Sequence, residues 1–172
     1  IPDLHITDKY FISATLQINR PINQTGFWTI FGEAGNNGGF VTTALDYIFE
    51  GNNGGTAGTN QIVFKDLNFN DNDTTGSSSI MAFNLGTFAR CYITGCHFGM
   101  RIGYAASYIQ SIYLSNCIAR GFTGSAIEAI TDLYDVSVTN CMFEKVAGYI
   151  VSAGANASSF RFTDNLVQNN NS

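Results

Sequence analysis

Charged side chains are scarce in this sequence. They make up 12% of its 172 residues, against ~25% in an ordinary soluble domain. Eight Lys and Arg stand against thirteen Asp and Glu, a formal net charge of −5. No basic stripe exists to follow a phosphate backbone, so nucleic-acid partners are excluded. No window approaches the ~20 uninterrupted apolar residues of a bilayer-crossing helix, so membrane insertion is excluded by the same reading. Histidine occurs only at His5 and His97, and the four cysteines lie at 91, 96, 117 and 141. Their spacing misses the CxxC pattern and the histidines add no second ligand cluster, so no metal and no cofactor is expected. The 18 Gly residues have no three-residue period, which removes collagen.

Apolar and uncharged polar residues are plentiful instead. The chain is 45% hydrophobic, with 14 Phe, 8 Tyr and 1 Trp, which excludes disorder and suffices for the core of one domain. Asn, Ser and Thr dominate the polar positions, a surface of amides and hydroxyls that suits β-rich extracellular proteins and sugar binding. The chain opens at Ile1 without Met and ends in Asn169-Asn170-Asn171-Ser172. It reads as one domain over 1–172, a processed chain or an excised piece of a longer one.

One eight-residue phrase recurs. Its copies are 62–69, 91–98, 112–119, 136–143 and 160–167, with starts 29, 21, 24 and 24 residues apart. A weaker relative begins at Trp28. In each copy the first, third, sixth and eighth positions are mostly apolar, which describes two short strands on either side of a break. Asp66, Gly95, Asn116, Asn140 and Asp164 occupy the break. These residue types enter left-handed backbone conformations at least cost. About nine residues before each of the last four copies lies another short apolar run: 81–85, 102–105, 126–130 and 149–153. Three short strands per repeat, recurring in the same sense, predict a parallel β-helix of about six coils. Hairpins of a β-sandwich would alternate in sense, and no segment holds a helical period. Cys96, Cys117 and Cys141 fall at one place in the phrase and should form an inward ladder of free thiols. Side chains stacked ~4.8 Å apart are too far apart for an unstrained disulfide. The interior should hold Ile112, Leu114, Cys117, Val136, Val138, Cys141, Phe160 and Phe162.

The bend of Asn116 and Asn140 resembles the asparagine ladder of the right-handed, pectin lyase-like β-helix superfamily. The opening, with Leu16-Gln17-Ile18-Asn19-Arg20-Pro21 and Ile30-Phe31-Gly32-Glu33, is similar to a first coil of that superfamily. The resemblance covers roughly residues 11 to 169 and implies the fold more than the activity. The clustered aspartates of pectate lyases and the paired aspartates and Gly-His-Gly stretch of polygalacturonases are both missing. The lean, Asn-rich coils look most like bacteriophage tailspike β-helices. That resemblance implies a virion-tail protein, a homotrimer, that recognises and in some cases cleaves bacterial surface polysaccharide. A secreted monomeric hydrolase or lyase and a non-catalytic spacer or adhesin are the alternatives.

Site candidates follow from the coil pattern. With Ile127 and Ala129 inward, Glu128 stands on the outer face of the leading run, beside Phe83 and Tyr104 of the preceding coils. Asp132 and Asp135 fall in the loop after it. An acid beside aromatic platforms fits a sugar site, and two carboxylates are the usual glycosidase machinery. Glu128 is therefore the candidate acid, with Asp132 or Asp135 as its partner and Phe83 and Tyr104 as substrate-binding platforms. The alternative is a solvated or ion-paired Glu128. Asp71 and Asp73 lack the Gly and distant Glu of a calcium loop, and Glu33 has a structural role in its turn. Outward positions of the leading runs (Met81, Phe83, Leu85, Ile102, Tyr104, Ile130, Ile150) and of the phrase's second half (Ile118, Met142, Leu166) are apolar. That predicts burial against sister subunits, unless a one-residue register error turns these residues inward.

Overall fold

Period-two alternation dictates extended backbone with one apolar face, and a strand of four to eight residues cannot bury that face alone. Stacking identical strands in parallel solves this, because each coil buries the apolar row of the one before it. The computed structural model describes residues 9–18, 22–24, 27–32, 38–42, 47–51, 59–71, 79–83, 88–98, 101–105, 108–121, 124–129, 132–154 and 156–168. Among these residues every secondary-structure element is a β-strand, and the strands form three parallel sheets. The protein is an all-β parallel solenoid.

The first sheet stacks Lys9–Phe11, Phe27–Phe31, Thr59–Lys65, Phe88–Thr94, Tyr108–Ser115 and Asp132–Thr139. Asn156–Ala157 and Phe160–Thr163 both pair with the last of these. The second sheet runs through Thr15–Ile18, Gly39–Thr42, Asn68–Asp71, His97–Phe98, Ile118–Arg120, Met142–Glu144 and Leu166–Gln168. The third holds Ile22–Gln24, Tyr47–Gly51, Ser79–Phe83, Arg101–Ala105, Ile127–Ala129 and Val151–Ala153, the leading runs of the repeat. Register follows the phrase residue for residue: Ile62 pairs with Cys91, Cys91 with Ile112, Ile112 with Val136 and Val136 with Phe160.

The bend forms where the sequence marks it. Asp66, Asn116, Asn140 and Asp164 have φ between 52° and 56°, and Gly95 has φ 65°. At each of the first four bends in chain order the amide is satisfied by the next coil: Asp66 N–H to Thr94 O at 3.0 Å, Gly95 to Ser115 at 3.1 Å, Asn116 to Thr139 at 3.2 Å and Asn140 to Thr163 at 3.1 Å. Asn140 Nδ2 donates to Asn116 Oδ1 at 2.6 Å, which makes part of the predicted ladder. Gly95 is required for a second reason. A Cβ there would collide with Asp66 Oδ1.

Inside, Phe64, Phe69, Phe143, Ile30 and Leu67 are the largest fully buried side chains among the described residues. Phe69 stacks on Phe40 at 5.6 Å and meets Phe64 edge-on at 5.1 Å. Cys96, Cys117 and Cys141 are buried free thiols. Each donates to the carbonyl two residues earlier, at Thr94 (3.4 Å), Ser115 (3.2 Å) and Thr139 (3.3 Å). Those are the carbonyls that also receive the bend amides, so the thiols help to fix the corner.

Several interior and outer assignments change. Ile112, Leu114, Val136 and Val138 are buried as expected, but Phe160 and Phe162 are 49% and 48% exposed. They continue the rows of Val136 and Val138, and among the described residues no strand pairs with their other edge. Ile127 is fully buried, and its register row contains Met81. Phe83 falls in the row of Ala105 and Ala129. Ile150 packs against the core. Ile118, Met142 and Leu166 do form one outer row, half-buried at the first two and 48% exposed at Leu166. Leu85, Ile130, Glu33 and Asp73 lie outside the described residues.

Candidate functional site

Glu128 lies in the strand Ile127–Ala129, in register with Tyr104 on one side and Ser152 on the other. The row continues through Ala82 to Glu50. It lies next to the row of buried Ile127. Tyr104 and Glu128 are thus brought together by register. Phe83 stands one row away and is not part of that pairing.

Asp132 and Asp135 are not in a loop. They are the first and fourth residues of the strand Asp132–Thr139 in the first sheet, in register with Tyr108 and Ser111. Asp135 precedes buried Val136 and is half-buried on the outer side. Its Oδ2 accepts a hydrogen bond from the Tyr113 hydroxyl of the preceding coil. The three candidate carboxylates therefore divide between two sheets.

The outer face around Asp135 is polar. The row two positions on from Asp135 carries Tyr113, Ser137 and Arg161, and the next outer row carries Thr94, Ser115, Thr139 and Thr163. Ser115 Oγ donates to Thr94 Oγ1 at 3.0 Å, and the Thr139 and Thr163 hydroxyls lie 3.3 Å apart. Strand spacing sets these groups ~4.8 Å apart along the stack. The result is a flat, rigid array of hydroxyls, an aromatic ring with a polar tip, one carboxylate and one guanidinium. Such an array can pair with many hydroxyls of an extended ligand. Tyr113, Ser137 and Arg161 were not picked out from the sequence. The signal was present, since the second and fourth positions of the phrase are outward by the same alternation that makes the first and third inward.

Burial governs the thiols. Desolvation pushes the Cys96 thiol up to about 12. Cys117 and Cys141 share a hydrogen bond that raises Cys117 and lowers Cys141 to about 7. Both are enclosed by the solenoid, which makes them part of the corner rather than nucleophiles facing a substrate. Among the described residues no group of three or more His, Cys, Asp or Glu side chains converges in a way that could hold a metal ion. Comparison of the chain with family models, with curated proteins and with solved structures gave no match in any of the three.

Proposed function

We propose that this chain is a polysaccharide-recognising β-helix of the right-handed, pectin lyase-like kind, most similar to a phage tailspike that engages bacterial surface glycan. The observation that carries the reading is the outer face of the first sheet, where Tyr113 and Asp135 are hydrogen-bonded beside a row of coupled hydroxyls. A glycan presents repeating hydroxyls and apolar ring faces. A rigid hydroxyl array with an oriented carboxylate and an aromatic ring meets both without ordering any loop, which keeps the entropic cost of binding low. The scarcity of charge fits a neutral or weakly charged ligand better than a polyanion.

The test is binding of capsular and O-antigen polysaccharides by affinity electrophoresis or glycan array. Tyr113→Phe and Asp135→Asn keep the shape and remove the hydrogen bond, and each should weaken retention of a bound polysaccharide at least several-fold. Unchanged retention in both variants would move the site elsewhere.

Cleavage by Glu128 is the second reading, and the register row shared with Tyr104 is what favours it. Glu128 would act as general acid. Reducing-end release from a bound polysaccharide should then fall ~10²-fold or more in Glu128→Gln, with retention unaffected. Release within about threefold of the parent chain would leave a binding protein only.

A further inference from the structure

Cys96, Cys117 and Cys141 hold one place in three successive coils, and all three are buried free thiols. Each donates to the carbonyl two residues before it, at Thr94, Ser115 and Thr139. Side chains with the same bond to the same backbone position are directed alike, so the sulfurs form a column along the stack. Coils follow one another at ~4.8 Å. That spacing is wide for an S–S bond, which requires β-carbons ~3.8 Å apart. It suits a bridge of the form sulfur–ion–sulfur. Two thiolate–metal bonds of ~2.3 Å laid end to end span ~4.6 Å. An ion midway between parallel side chains then meets each Cβ–Sγ bond near a right angle. Cys117 and Cys141 are the more closely joined pair. Their thiols share a hydrogen bond, and Cys117 N–H donates to Cys141 Sγ at 3.4 Å.

We propose that Cys117 and Cys141 form a two-coordinate site for a soft monovalent ion of the Cu(I) or Ag(I) class, inside the solenoid and separate from its polar outer face. The donor set decides the class, since thiolates select soft ions. Among the described residues no three His, Cys, Asp or Glu side chains converge. The four ligands of a structural Zn²⁺ and the six or more oxygens of Ca²⁺ are therefore not assembled here. A linear ion needs only two donors. Binding replaces two S–H bonds with two S–metal bonds and releases two protons. The bridge then carries one net negative charge, and Cys117 N–H already points at one of its sulfurs. Losing the thiol protons does not orphan the corner carbonyls. Ser115 O also accepts from Gly95 N–H at 3.1 Å, and Thr139 O from Asn116 N–H at 3.2 Å. Cys117 and Cys141 are 2% and 3% exposed, so the ion enters only when the corner opens locally. The pair escapes a search for CxxC because its members lie 24 residues apart and meet through stacking.

Cu(I) supplied without oxygen to the reduced 172-residue chain, with bicinchoninate in excess as competitor, tests this. Native mass spectrometry should show one ion retained per chain. X-ray absorption of that complex should show two sulfur neighbours and no nitrogen or oxygen, a reading that needs no variant. Cys117→Ala and Cys141→Ala should each lose the ion while keeping the circular dichroism of the fold, and Cys96→Ser should retain it. A parent chain that yields all of its Cu(I) to the competitor overturns the proposal. So does a third sulfur neighbour, which would draw Cys96 or Cys91 into the site. Retention of the ion by either alanine variant overturns it as well.

Discussion

The corners of this solenoid are made by single residues with two tasks. Asn140 must hold φ 52° and also reach Asn116 with its side-chain amide. Asn140→Ala loses both, and a residue with a Cβ pays ~1–2 kcal/mol for the left-handed conformation. Asn140→Gly loses only the hydrogen bond. Urea unfolding should therefore rank the alanine variant below the glycine variant by ~1 kcal/mol. Equal stabilities would mean that the ladder bond, not the backbone, governs the corner. The thiols give a pH test with a definite sign. The Cys96 thiol stays protonated in the folded chain to about 12, against 9.0 for an ordinary thiol. Below pH 9 both states carry the proton and stability is unaffected. Above it the unfolded thiol ionises while the folded one does not, so this group costs stability at up to ~1.4 kcal/mol per pH unit until about pH 12. Cys96→Ser or Cys96→Ala should flatten that alkaline slope. Iodoacetamide at pH 8 should label Cys96 only after unfolding, as read by peptide mass.

Strands differ in how much one position matters. Phe69 sits where three rings meet, with Phe40 and Phe64 on either side. Phe69→Ala should cost ~3–5 kcal/mol, because the strands above and below are each hydrogen-bonded to the one that carries it and cannot collapse into the cavity. On the outer row of the second sheet, Ile118 is only half-buried. Ile118→Ala should cost less than half as much in the same denaturant titration. Between them the Arg120–Glu144 pair, 2.8 Å apart with Arg120 mostly exposed, contributes at most ~1 kcal/mol. A large loss from Arg120→Ala would point to packing of its aliphatic stem rather than charge.

For the whole molecule, stability is distributed along one axis. Each coil is stabilised chiefly by its neighbours, so a coil stacked on both sides holds more tightly than one stacked on one. Hydrogen exchange should find the amides of 112–119 and 136–143 slowest and those of 160–167 fastest among the five phrase copies. If the copies exchange at one common rate, the solenoid opens as a single cooperative unit.

Much of this architecture is written in local chemistry. The repeated phrase, the left-handed break at Asp66, Gly95, Asn116, Asn140 and Asp164, and the thiol ladder are all legible in the sequence. Each depends on alternation and on the backbone preference of one residue, and neither needs a distant contact to take effect. Register in the leading runs was not legible in the same way. A short run such as Met81-Ala82-Phe83 carries too few alternations to say which residues it meets on the neighbouring coil. Strand pairing decides that, and sets Met81 in the row of the fully buried Ile127 two coils on. The same holds for Asp135. Its residue type announces a carboxylate, but only the stacking of Asp132–Thr139 on Tyr108–Ser115 sets it against the Tyr113 hydroxyl. Exposure of Phe160 and Phe162 is likewise a tertiary fact. Their place in the phrase assigns them to the interior, and an interior exists only where another coil lies on top.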